Sequence, residues 1–513
     1  MSKNYYITTP IYYVNDNPHI GHAYTTLACD VIARFKRLDG YDVKFLTGTD
    51  EHGQKVEKAA EVAGKSPKDF ADSVSVNFKK LAEAMNFSFD DFIRTTEDRH
   101  YAAVADIWQR LIDNGHITLG KYAGWYSVRD EAFYAESEII DGKAPTGAPV
   151  EWVEEPSYFF NLSQWQEPLL KFYEENPDFI LPTSRRNEVI SFVKGGLKDL
   201  SVSRTSFKWG VPVPNDPDHV IYVWLDALTN YITAVGYPDQ ENSDYQQQWP
   251  ADVHMVGKDI LRFHAVYWPA FLMAAKLPLP KRIFAHGWWT NEGQKISKSL
   301  GNVIDPNELI DEYGLDSVRY FMMREVSFGQ DGDFSHKSMV TRTNSDLAND
   351  YGNLVSRVVS MAFKNCEAQT PTAGEYTDAD KALLDQAYGL YAKVDELINR
   401  QAMHQVCDVI WAVIAEANKY VDAQAPWALK KEDPDRMQTV LYTLMETIRC
   451  LGIITQPLMP DSSTKILDLL SIDKAERCFK SLNRDFSLKS GVSLTKPDPI
   501  FPRYIESEKA EAV

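Results

Sequence analysis

The sequence is poor in cysteine and contains no long apolar run. Its five cysteines are scattered over 513 residues and never stand as Cys-x-x-Cys, so neither a disulfide framework nor a thiolate metal site is indicated. Reduced thiols are expected at Cys29, Cys366, Cys407, Cys450 and Cys478. No stretch approaches the roughly eighteen apolar residues that a membrane-spanning helix needs, and the N-terminus lacks the layout of a secretory signal. The sequence therefore predicts a cytoplasmic protein without a membrane partner.

Basic residues are also scarce relative to acidic ones. Lys and Arg number 54 against 73 Asp and Glu, which gives a net charge of −19. Unspecific coating of nucleic acid needs clustered positive charge, so this balance argues against it and leaves room only for a local basic surface. With 44% hydrophobic and 25% charged residues the composition is that of a globular protein, and the length fits about three domains.

The first fifty residues have the pattern of a strand, a helix and a second strand. Residues 4–13 are β-branched and aromatic and end in the turn formers VNDNP. From His22 onward apolar residues recur at helical spacing up to Leu38, and Gly40 stands where a glycine is expected after a helix. Residues 42–47 predict the next strand. So short a strand–helix–strand unit is typical of a parallel βαβ crossover. Ligands of such folds bind at the carboxyl ends of the strands.

The rest of the chain changes pattern twice. Helical patterns at 67–85 and 99–114 are followed, from about 117 to 213, by short strand-like pieces that predict a mostly separate, partly β insertion. Between 214 and 300 the segments HVIYVW, DVHMVG and RIFAHGWW are expected to complete the interrupted sheet. Beyond Gln330 long helical patterns predict a bundle. The fold class is therefore α/β, a Rossmann-like parallel sheet split by the insertion and followed by an all-α helical bundle.

The motif His19-Ile20-Gly21-His22 lies between the first strand and the first helix. Two imidazoles three residues apart share a face of the helix start, the glycine lets a ligand approach the backbone, and the free N–H groups of a helix N-terminus favour an anion. The arrangement suits a polyphosphate. A metal-binding pair or two structural histidines at a helix cap are the alternatives, and the motif alone does not separate them.

A second motif, Lys295-Ile296-Ser297-Lys298-Ser299, follows the segment RIFAHGWW. Gly293 and Gly301 flank it, and two lysines with two hydroxyl groups can cover phosphate charge once the loop closes. Taken alone, such a run is more often an exposed, solvated loop. Its combination with the first motif on one split sheet is far more specific than either motif.

Together the two motifs resemble those of the class I aminoacyl-tRNA synthetases, in which they grip one ATP. The flanking segments are similar to the methionyl-tRNA synthetase family over essentially the whole chain, and include PIYYVNDNPHIGHAYT, TGTDEHGQK, VWLDALTNYI, VGKDILRFHAVYWPA, HGWWTNEGQKISKSLGN and DSVRYFMMREV. The resemblance implies a ligase that uses ATP and Mg²⁺ to convert methionine to methionyl-adenylate and pyrophosphate. It then transfers methionine to the 3′-terminal adenosine of initiator and elongator methionine tRNA.

The resemblance also assigns the reaction chemistry. Attack of the methionine carboxylate on the α-phosphate of ATP needs positioning and neutralisation of charge rather than a protein nucleophile. The expected catalytic residues are His19, Gly21, His22, Lys295 and Lys298. Ser297 and Ser299 join these histidines and lysines in binding ATP. Lys298 is the strongest single catalytic candidate.

Recognition of methionine requires a carboxylate for the ammonium group and an apolar, polarizable pocket for the thioether. The family's pattern implies Asp50 for the ammonium. Aromatic rings contact sulfur favourably, by roughly 0.3–1.5 kcal/mol each. The implied pocket residues are Pro10, Ile11, Tyr13, Trp224, Ala227, Leu228, Tyr231, Ile260 and His264. Each aromatic residue taken singly fits a plain core equally well, whereas the set, drawn from four separated segments, favours a pocket.

One departure from the family lies in the insertion. Many relatives hold zinc with a Cys-x-x-Cys pair and a later Cys/His pair. Here Ser127 and Asp130 stand in place of the first pair, and the region of the second pair reads KAPTGAPVEW, which contains neither cysteine nor histidine. Zinc needs thiolate or imidazole ligands at fixed spacing. We therefore predict no structural zinc and no other metal held by the protein itself. The knuckle is expected to be held by aromatic packing around Trp125, Tyr126 and Phe133.

The helical C-terminal part provides the expected tRNA surface. Asn353 and Arg357, one helical turn apart, match the family's anticodon-reading positions, and so does Trp427, which could stack on an unpaired base. A buried, helix-pairing Asn353 and a core Trp427 are the alternatives.

The predicted domains follow from these assignments. They are a catalytic Rossmann-like domain in two halves at 1–116 and 214–300, the insertion at 117–213, a linking segment that contacts the tRNA stem at 301–345, and an anticodon-binding domain at 346–513. Because no further RNA-binding or dimerising domain follows the bundle, a monomer is expected.

Three other functions compete with this interpretation. The first is a sibling synthetase for another apolar amino acid. The second is a small-substrate nucleotidylyltransferase with an HxGH-like turn, which would not need the helical bundle. The third is a non-catalytic tRNA-binding relative, which would have no reason to keep both phosphate motifs.

Overall fold

A parallel sheet forms the centre of the N-terminal half. The computed structural model describes residues 3–14, 17–130, 132–134, 136–296 and 301–506. The strands of this sheet are β1 (Asn4–Thr8), β2 (Tyr12–Tyr13), β3 (Asp42–Asp50), β4 (Asp91–Arg94), β8 (Ile180–Leu181), β13 (Val253–Gly257) and β14 (Ile283–His286). Leu46 of β3 pairs with both Thr8 and Asp91, so β1 and β4 flank β3. The resulting order is β4-β3-β1-β13-β14-β8, with β2 continuing the line of β1.

The predicted strand–helix–strand unit is present at the N-terminus. Helix α1 (Ile20–Leu38) connects β1 and β2 to β3, and β1 runs parallel to β3. Gly40 ends the helix turn with φ +84°, a left-handed conformation that glycine adopts without steric cost. This unit was therefore predicted correctly from periodicity and turn residues, except that the strand predicted at 4–13 is divided into β1 and β2; strand β4 was not predicted.

Helices cover both faces of the sheet. In the N-terminal half they include α2 (Gln54–Val62), α3 (Pro67–Ala84), α4 (Asp98–Asp113), α7 (Val223–Thr233), α8 (Ser243–Gln248) and α9 (Trp268–Ala274). One apolar cluster contains Leu27 of α1 and continues into the C-terminal bundle. A second cluster contains Trp108 of α4, Leu228 of α7 and Phe271 of α9. Burial on both faces explains why β1 is a continuous apolar run rather than an alternating one.

The insertion is built on a second, antiparallel sheet. Its strands are β5 (Ile117–Ser127), β6 (Ala132–Tyr134), β7 (Glu151–Phe160) and β9 (Leu200–Ser201). Helices α5 (Gln166–Glu175) and α6 (Thr183–Lys194), which the sequence patterns did not predict, follow β7. Between them β8 pairs with β14, so the insertion also supplies the edge strand of the main sheet. It is therefore less separate than predicted.

The segment HVIYVW does not join the main sheet, and that prediction was wrong. It contributes β12 (Asp216–Ile221), which pairs antiparallel with β10 (Ser203–Arg204) and β11 (Pro212–Val213). Only the last three residues of β12 are buried. A central parallel strand is buried on both faces along its length, so β12 suits a small half-exposed sheet. The place beside β1 is taken by β13.

The C-terminal half is mainly helical. A small sheet of β15 (Trp289–Asn291), β16 (Gln294–Lys295) and β17 (Gly332–Phe334) lies at its start, with its first two helices between β16 and β17 in the chain, and β17 was not predicted. The helices are α10 (Pro306–Tyr313), α11 (Leu315–Arg324), α12 (His336–Thr341), α13 (Asn353–Asn365), α14 (Asp378–Tyr388), α15 (Leu390–Asn399), α16 (Met403–Gln424), α17 (Pro426–Glu432), α18 (Pro434–Thr455) and α19 (Pro460–Leu469). A π-helical segment, Arg342–Gly352, joins α12 to α13. Among the described helices, none is both long and apolar enough to cross a bilayer.

A buried ion pair fixes this helical half to the sheet layer. Arg319 of α11 donates to Asp30 of α1 at 2.7 Å, and both side chains are fully buried. Its other N–H groups donate to the carbonyl oxygens of Met85 at the end of α3 and Leu458 after α18, each at 3.0 Å. Because one guanidinium joins elements from both halves, its loss would remove this link and leave the Asp30 carboxylate with only Arg34 and Ser88 as partners.

Candidate active site

The two histidines of the first motif cap helix α1 together. The Nδ1 atom of His19 accepts the N–H of Gly21 at 3.1 Å, and the Nδ1 atom of His22 accepts the N–H of His19 at 3.0 Å. A Cβ atom at position 21 would lie only 2.9 Å from the His19 ring, which explains the glycine. Since both Nδ1 atoms accept, each neutral ring carries its proton on Nε2 and is free to donate it to a ligand.

Burial keeps these rings neutral. It lowers the pKa of His19, and it lowers the pKa of His22 well below the ordinary value of 6.5, with the neighbouring His19 adding to the effect. At neutral pH the pair therefore offers two Nε2–H donors at a helix N-terminus rather than two positive charges. Such donors, with the helix dipole behind them, stabilise phosphate oxygens. Both rings cap the helix through Nδ1, and this leaves the Nε2 side of each ring available to a ligand.

The first motif packs directly against the strand that precedes the second. Thr25 Oγ1 in α1 lies 2.7 Å from His286 Nε2 at the end of β14. The N–H of Ile20 donates to the carbonyl oxygen of Ile304, just after the second motif, at 3.2 Å. Two segments separated by more than 250 positions therefore meet at one edge of the sheet, as the presence of both motifs in the sequence predicts.

The described part of the second motif lies on the β15–β16 hairpin. Thr290 pairs with Lys295, and the side-chain amide of Asn302 donates to the Lys295 carbonyl oxygen at 3.1 Å. The Lys295 ammonium is exposed and lies 6.0 Å from the ring centre of Trp288, which lines the cleft. Ser297, Lys298 and Ser299 lie outside the described residues, so their roles stay predictions.

A cleft of about 480 Å³ opens where the carboxyl ends of β1, β13 and β14 meet. It contains His19, Gly21 and His22 on one side. All of the predicted methionine residues also line it, namely Pro10, Ile11, Tyr13, Asp50, Trp224, Ala227, Leu228, Tyr231, Ile260 and His264. The structure therefore brings the whole predicted set into one space, although it does not test the role of each residue.

The apolar end of the cleft is built around a hydrogen-bonded tyrosine and histidine. His264 Nδ1 lies 2.9 Å from the carbonyl oxygen of Ile260 and therefore carries the proton. Its Nε2 atom then accepts the hydroxyl proton of Tyr231 at 2.7 Å. Burial lowers the pKa of His264 to about 4, so the ring is neutral at physiological pH. The pair presents aromatic, polarizable and uncharged surface, which suits a thioether.

A π-helical turn shapes this wall. Residues Phe263–Tyr267 form it, and the N–H of Trp268 donates to the carbonyl oxygen of Phe263, five residues back. Phe263 stacks on Trp224 with ring centres 3.6 Å apart and planes 8° apart. Such wide turns often mark functional sites. Sequence periodicity gives no sign of this turn, because it differs from an α-helix by one residue.

Asp50 also lines this cleft. It is the last residue of β3, it is only 7% exposed, and its carbonyl oxygen accepts the N–H of Val14 at 3.2 Å. The carboxylate therefore stands at the carboxyl end of a parallel strand, facing a largely desolvated space. In such a space an ammonium partner binds a carboxylate more strongly than it does in water.

A buried cluster behind the cleft was missed by sequence analysis. The carboxylate of Asp226, in α7, accepts from His52 Nδ1 and from His100 Nε2, both at 2.7 Å. Burial alone would raise the pKa of Asp226, but its close contact with His52 and the hydrogen bonds from His100 and His52 lower it to about 2. Both His52 and Asp226 lie inside segments that carry predicted site residues, yet no spacing rule links positions 174 residues apart.

The knuckle of the insertion is held by a carboxylate as well as by aromatic rings. Asp130 accepts hydrogen bonds from Tyr134 at 3.0 Å and from Thr146, and its N–H donates to Ser127 Oγ at 3.2 Å. Trp125 packs edge-on against Trp152, and Tyr126 is buried, whereas the Phe133 side chain lies outside the described set. Aromatic packing alone was therefore an incomplete prediction.

The donor set at this knuckle does not fit zinc. The Ser127 hydroxyl oxygen already accepts the Asp130 N–H, and the Asp130 carboxylate already accepts from Tyr134 and Thr146. Within the described residues, no group of three or more His, Cys, Asp and Glu side chains could hold a metal ion. Asp130 also lines the cleft, so the insertion contributes to its wall.

The predicted anticodon residues lie on one exposed surface of the helical half. The Arg357 guanidinium lies 5.6 Å from the ring centre of Trp427 and donates to Asp422 at 3.0 Å. Trp427 is 48% exposed and Asn353, one turn before Arg357, is exposed too. A core tryptophan and a buried helix-pairing asparagine are therefore excluded. Asn353 directly follows the π-helical segment that joins α12 to α13.

Comparison with known proteins identifies the class first. The model of the family "tRNA synthetases class I (M)" matches residues 5–151 and 144–359, and that of the "anticodon binding domain of methionyl tRNA ligase" matches 370–513. With the split parallel sheet and its two phosphate motifs, this makes the chain a class I aminoacyl-tRNA synthetase. The relatives specify it further.

Relatives that match over nearly their full length are 50–60% identical to this chain. Methionine–tRNA ligase of Rickettsia felis is 60% identical over 98% of this chain and 99% of its own length, and that of Brucella suis biovar 1 is 56% identical over 99% of both. Mycobacterium tuberculosis methionyl-tRNA synthetase in complex with methionyl-adenylate superposes with a TM-score of 0.95 at 53% identity, over 98% of this chain and 100% of that chain. Its free form gives 0.90 at 50% identity, over 99% of both. The chain belongs to the methionyl-tRNA synthetase family.

Proposed function

We infer that the chain is a methionine–tRNA ligase. It activates methionine with ATP to give methionyl-adenylate and pyrophosphate, and then transfers methionine to the 3′-terminal adenosine of its tRNA. The single observation that carries this conclusion is the cleft, because it brings the His19 and His22 turn to the same space as Asp50 and the aromatic pocket. Methionine-dependent ATP–pyrophosphate exchange, followed by charging of tRNA, tests it.

The first step joins two anions and so depends on charge neutralisation. A carboxylate oxygen of methionine attacks the α-phosphorus, the bond from that phosphorus to the bridging oxygen breaks, and pyrophosphate leaves with the negative charge. The Nε2–H groups of His19 and His22 donate to the phosphate oxygens as charge builds up. Lys295 and Lys298, with Ser297 and Ser299, hold the triphosphate and the departing pyrophosphate. Mg²⁺ enters bound to the phosphates, which suits an ion that keeps few protein ligands.

The amino acid is held at both ends. Asp50 pairs with the ammonium group, and the thioether lies against Trp224, Tyr231 and His264. Pro10, Ile11, Tyr13, Ala227, Leu228 and Ile260 complete the wall. In the second step a ribose hydroxyl of the terminal adenosine attacks the carbonyl carbon, the bond to the phosphate oxygen breaks, and AMP leaves. Positioning of both reactants supplies much of the rate.

The domain roles follow the same scheme. We assign activation of methionine to the two catalytic halves at 1–116 and 214–300. The insertion at 117–213 is assigned to the rim of the cleft, which Asp130 lines. The linking segment at 301–345 is assigned to the tRNA stem, and the helical part at 346–513 to the anticodon. The enzyme is expected to act as a monomer in the cytoplasm, on initiator and elongator tRNA.

Replacing Trp427 by alanine is expected to weaken tRNA charging while leaving pyrophosphate exchange nearly unchanged. The exposed indole, flanked by Arg357 at 5.6 Å, is a platform for an unpaired anticodon base, and such stacking contributes about 1–3 kcal/mol per base. The loss should therefore be about ten- to hundredfold in kcat/KM for tRNA. Exposed Trp152, in the insertion, is the matched control and should leave charging intact when replaced by alanine. Equal loss of charging and exchange in the Trp427 variant would defeat the assignment.

We propose that the insertion folds without zinc. The oxygen donors of Ser127 and Asp130 are the support, because Zn²⁺ in structural sites takes sulfur and imidazole ligands. Elemental analysis of purified protein is expected to find far less than one zinc per chain, and unfolding should be insensitive to chelators. About one tightly bound zinc per chain would contradict this.

A further inference from the structure

We propose that His52 is a positioning residue for methionine, which holds Asp50 at a fixed distance from the thioether pocket through the buried carboxylate of Asp226. The inference rests on the proposed function and adds a residue that contacts neither substrate. It is carried by one hydrogen-bonded connection between two segments that both contribute residues to the cleft.

The connection is short and fully enclosed. Asp226 is 0% exposed and His52 is 1% exposed, and the distance from His52 Nδ1 to Asp226 Oδ2 is 2.7 Å. A carboxylate can only accept, so His52 donates from Nδ1. The other ring nitrogen, Nε2, lies 3.0 Å from the Tyr101 hydroxyl. A buried, charge-assisted hydrogen bond of this length fixes the two groups that it joins.

Each end of the connection carries a different part of the methionine site. His52 follows Asp50 by two residues, in the turn after β3. Asp226 lies in α7 between residues that line the cleft, Trp224 and Ala227, and the same helix presents Leu228 and Tyr231 to that space. Positions i, i+3, i+4 and i+7 of a helix share one face, so Trp224, Ala227, Leu228 and Tyr231 form the wall together and Asp226 points away from it. The ammonium site and the thioether site are thereby tied to each other.

The second histidine of the cluster provides an internal comparison. His100 Nε2 donates to the other oxygen of Asp226 at 2.7 Å, and His100 is likewise 0% exposed. It belongs to α4, whose residues are all described and contribute nothing to the lining of the cleft. His100 is therefore as buried as His52 and also donates to Asp226, but it does not adjoin a residue of the proposed methionine site.

Other contacts hold the turn in its general place. Glu51 accepts from Arg94 at 2.7 and 2.9 Å, and its carbonyl oxygen accepts from the Trp209 indole at 2.6 Å. The turn would thus keep its fold without the His52 bond and shift only slightly. Since a misplacement of about 1 Å at a reacting or binding group can cost about a hundredfold, a small shift of Asp50 should still be measurable.

Two pairs of substitutions separate positioning from stability. An asparagine amide reaches the place of Nδ1, whereas a glutamine amide reaches the place of Nε2. His52→Asn therefore retains the bond to Asp226 and His52→Gln loses it. For His100, which uses Nε2, His100→Gln retains the bond and His100→Asn loses it.

The readouts are KM for methionine, KM for ATP and kcat in pyrophosphate exchange, together with inhibition by 4-(methylthio)butanoic acid, which is methionine without its amino group. His52→Gln is expected to raise KM for methionine by about tenfold or more, and KM for ATP by less than twofold. Its preference for methionine over the amino-free analogue should fall by the same factor. His52→Asn should restore both values to within about threefold of the wild type.

The control is expected to behave differently. His100→Asn should lower the unfolding temperature about as much as His52→Gln does, yet leave KM for methionine within about threefold of the wild type. Equal increases in KM for both variants, or an unchanged preference over the amino-free analogue in His52→Gln, would overturn the positioning role. Failure of the wild type to show methionine-dependent exchange would instead overturn the proposed function itself.

Discussion

Replacing His22 by asparagine is expected to lower kcat of methionine-dependent pyrophosphate exchange by about 10²–10³-fold, the usual cost of removing one donor to a developing oxyanion. The asparagine oxygen takes the place of Nδ1 and still accepts the N–H of His19, so the cap of α1 is kept. Only the Nε2–H donor is lost. Because that donor acts on charge that grows in the transition state, KM for methionine should change by less than about threefold.

Glutamine at the same position provides the control. Its amide reaches the place of Nε2 and can donate to phosphate, but it no longer accepts the N–H of His19. His22→Gln is therefore expected to retain about a tenth or more of the wild-type kcat while losing some thermal stability. If His22→Asn kept full exchange activity and His22→Gln did not, the ring would be a structural cap and not a phosphate ligand.

Replacing Asp50 by asparagine is expected to raise KM for methionine by about 10²–10³-fold, since an ammonium group left without its buried carboxylate partner costs about 2–5 kcal/mol. The substitution keeps the shape of the side chain, and the backbone bond from Val14 to residue 50 stays in place. KM for ATP should stay within about twofold, because the nucleotide is assigned to His19, His22 and the second motif rather than to Asp50.

Asp42 offers a matched control in the same strand. It is exposed at the start of β3, at the opposite end from the cleft, so Asp42→Asn removes the same charge without touching the site. Its kinetic constants should equal those of the wild type. A rise in KM for ATP equal to that for methionine in Asp50→Asn would show that the cleft had collapsed, and an unchanged KM for methionine would assign the ammonium to another group.

The elements that sequence analysis predicted well are those with strong periodicity and clear ends. Helix α1 has apolar residues at helical spacing and ends before Gly40, and β3 is a long buried run. Strand β12 was misplaced because HVIYVW looks like a fully buried strand, whereas only its first three residues are strand and the residues of β12 before them, 216–218, are partly or fully exposed. Strand β8 is two residues long and exists only through its pairing with β14, so no local pattern could reveal it.

The site was predicted through motifs, and its supporting groups were not. The residues that line the cleft come from segments that carry recognisable sequence motifs, and the fold brings these segments together. The bond from His52 to Asp226 depends on how α7 packs behind β3, and the wide turn at Phe263 depends on a single extra residue in a helix. The first is a property of packing between distant segments and the second a local change in helix geometry, and neither propensity nor spacing encodes them.

The most direct test of the account is ATP–pyrophosphate exchange with each of the twenty amino acids, repeated with Lys298→Ala. Methionine should support exchange at a kcat/KM at least about a hundredfold above any other amino acid, since the cleft offers one carboxylate and one polarizable pocket. The Lys298 variant should lose about 10²-fold or more of that activity, because a cation on the departing pyrophosphate is removed. Exchange that depends on a different amino acid, or a Lys298 variant as active as the wild type, would contradict the account.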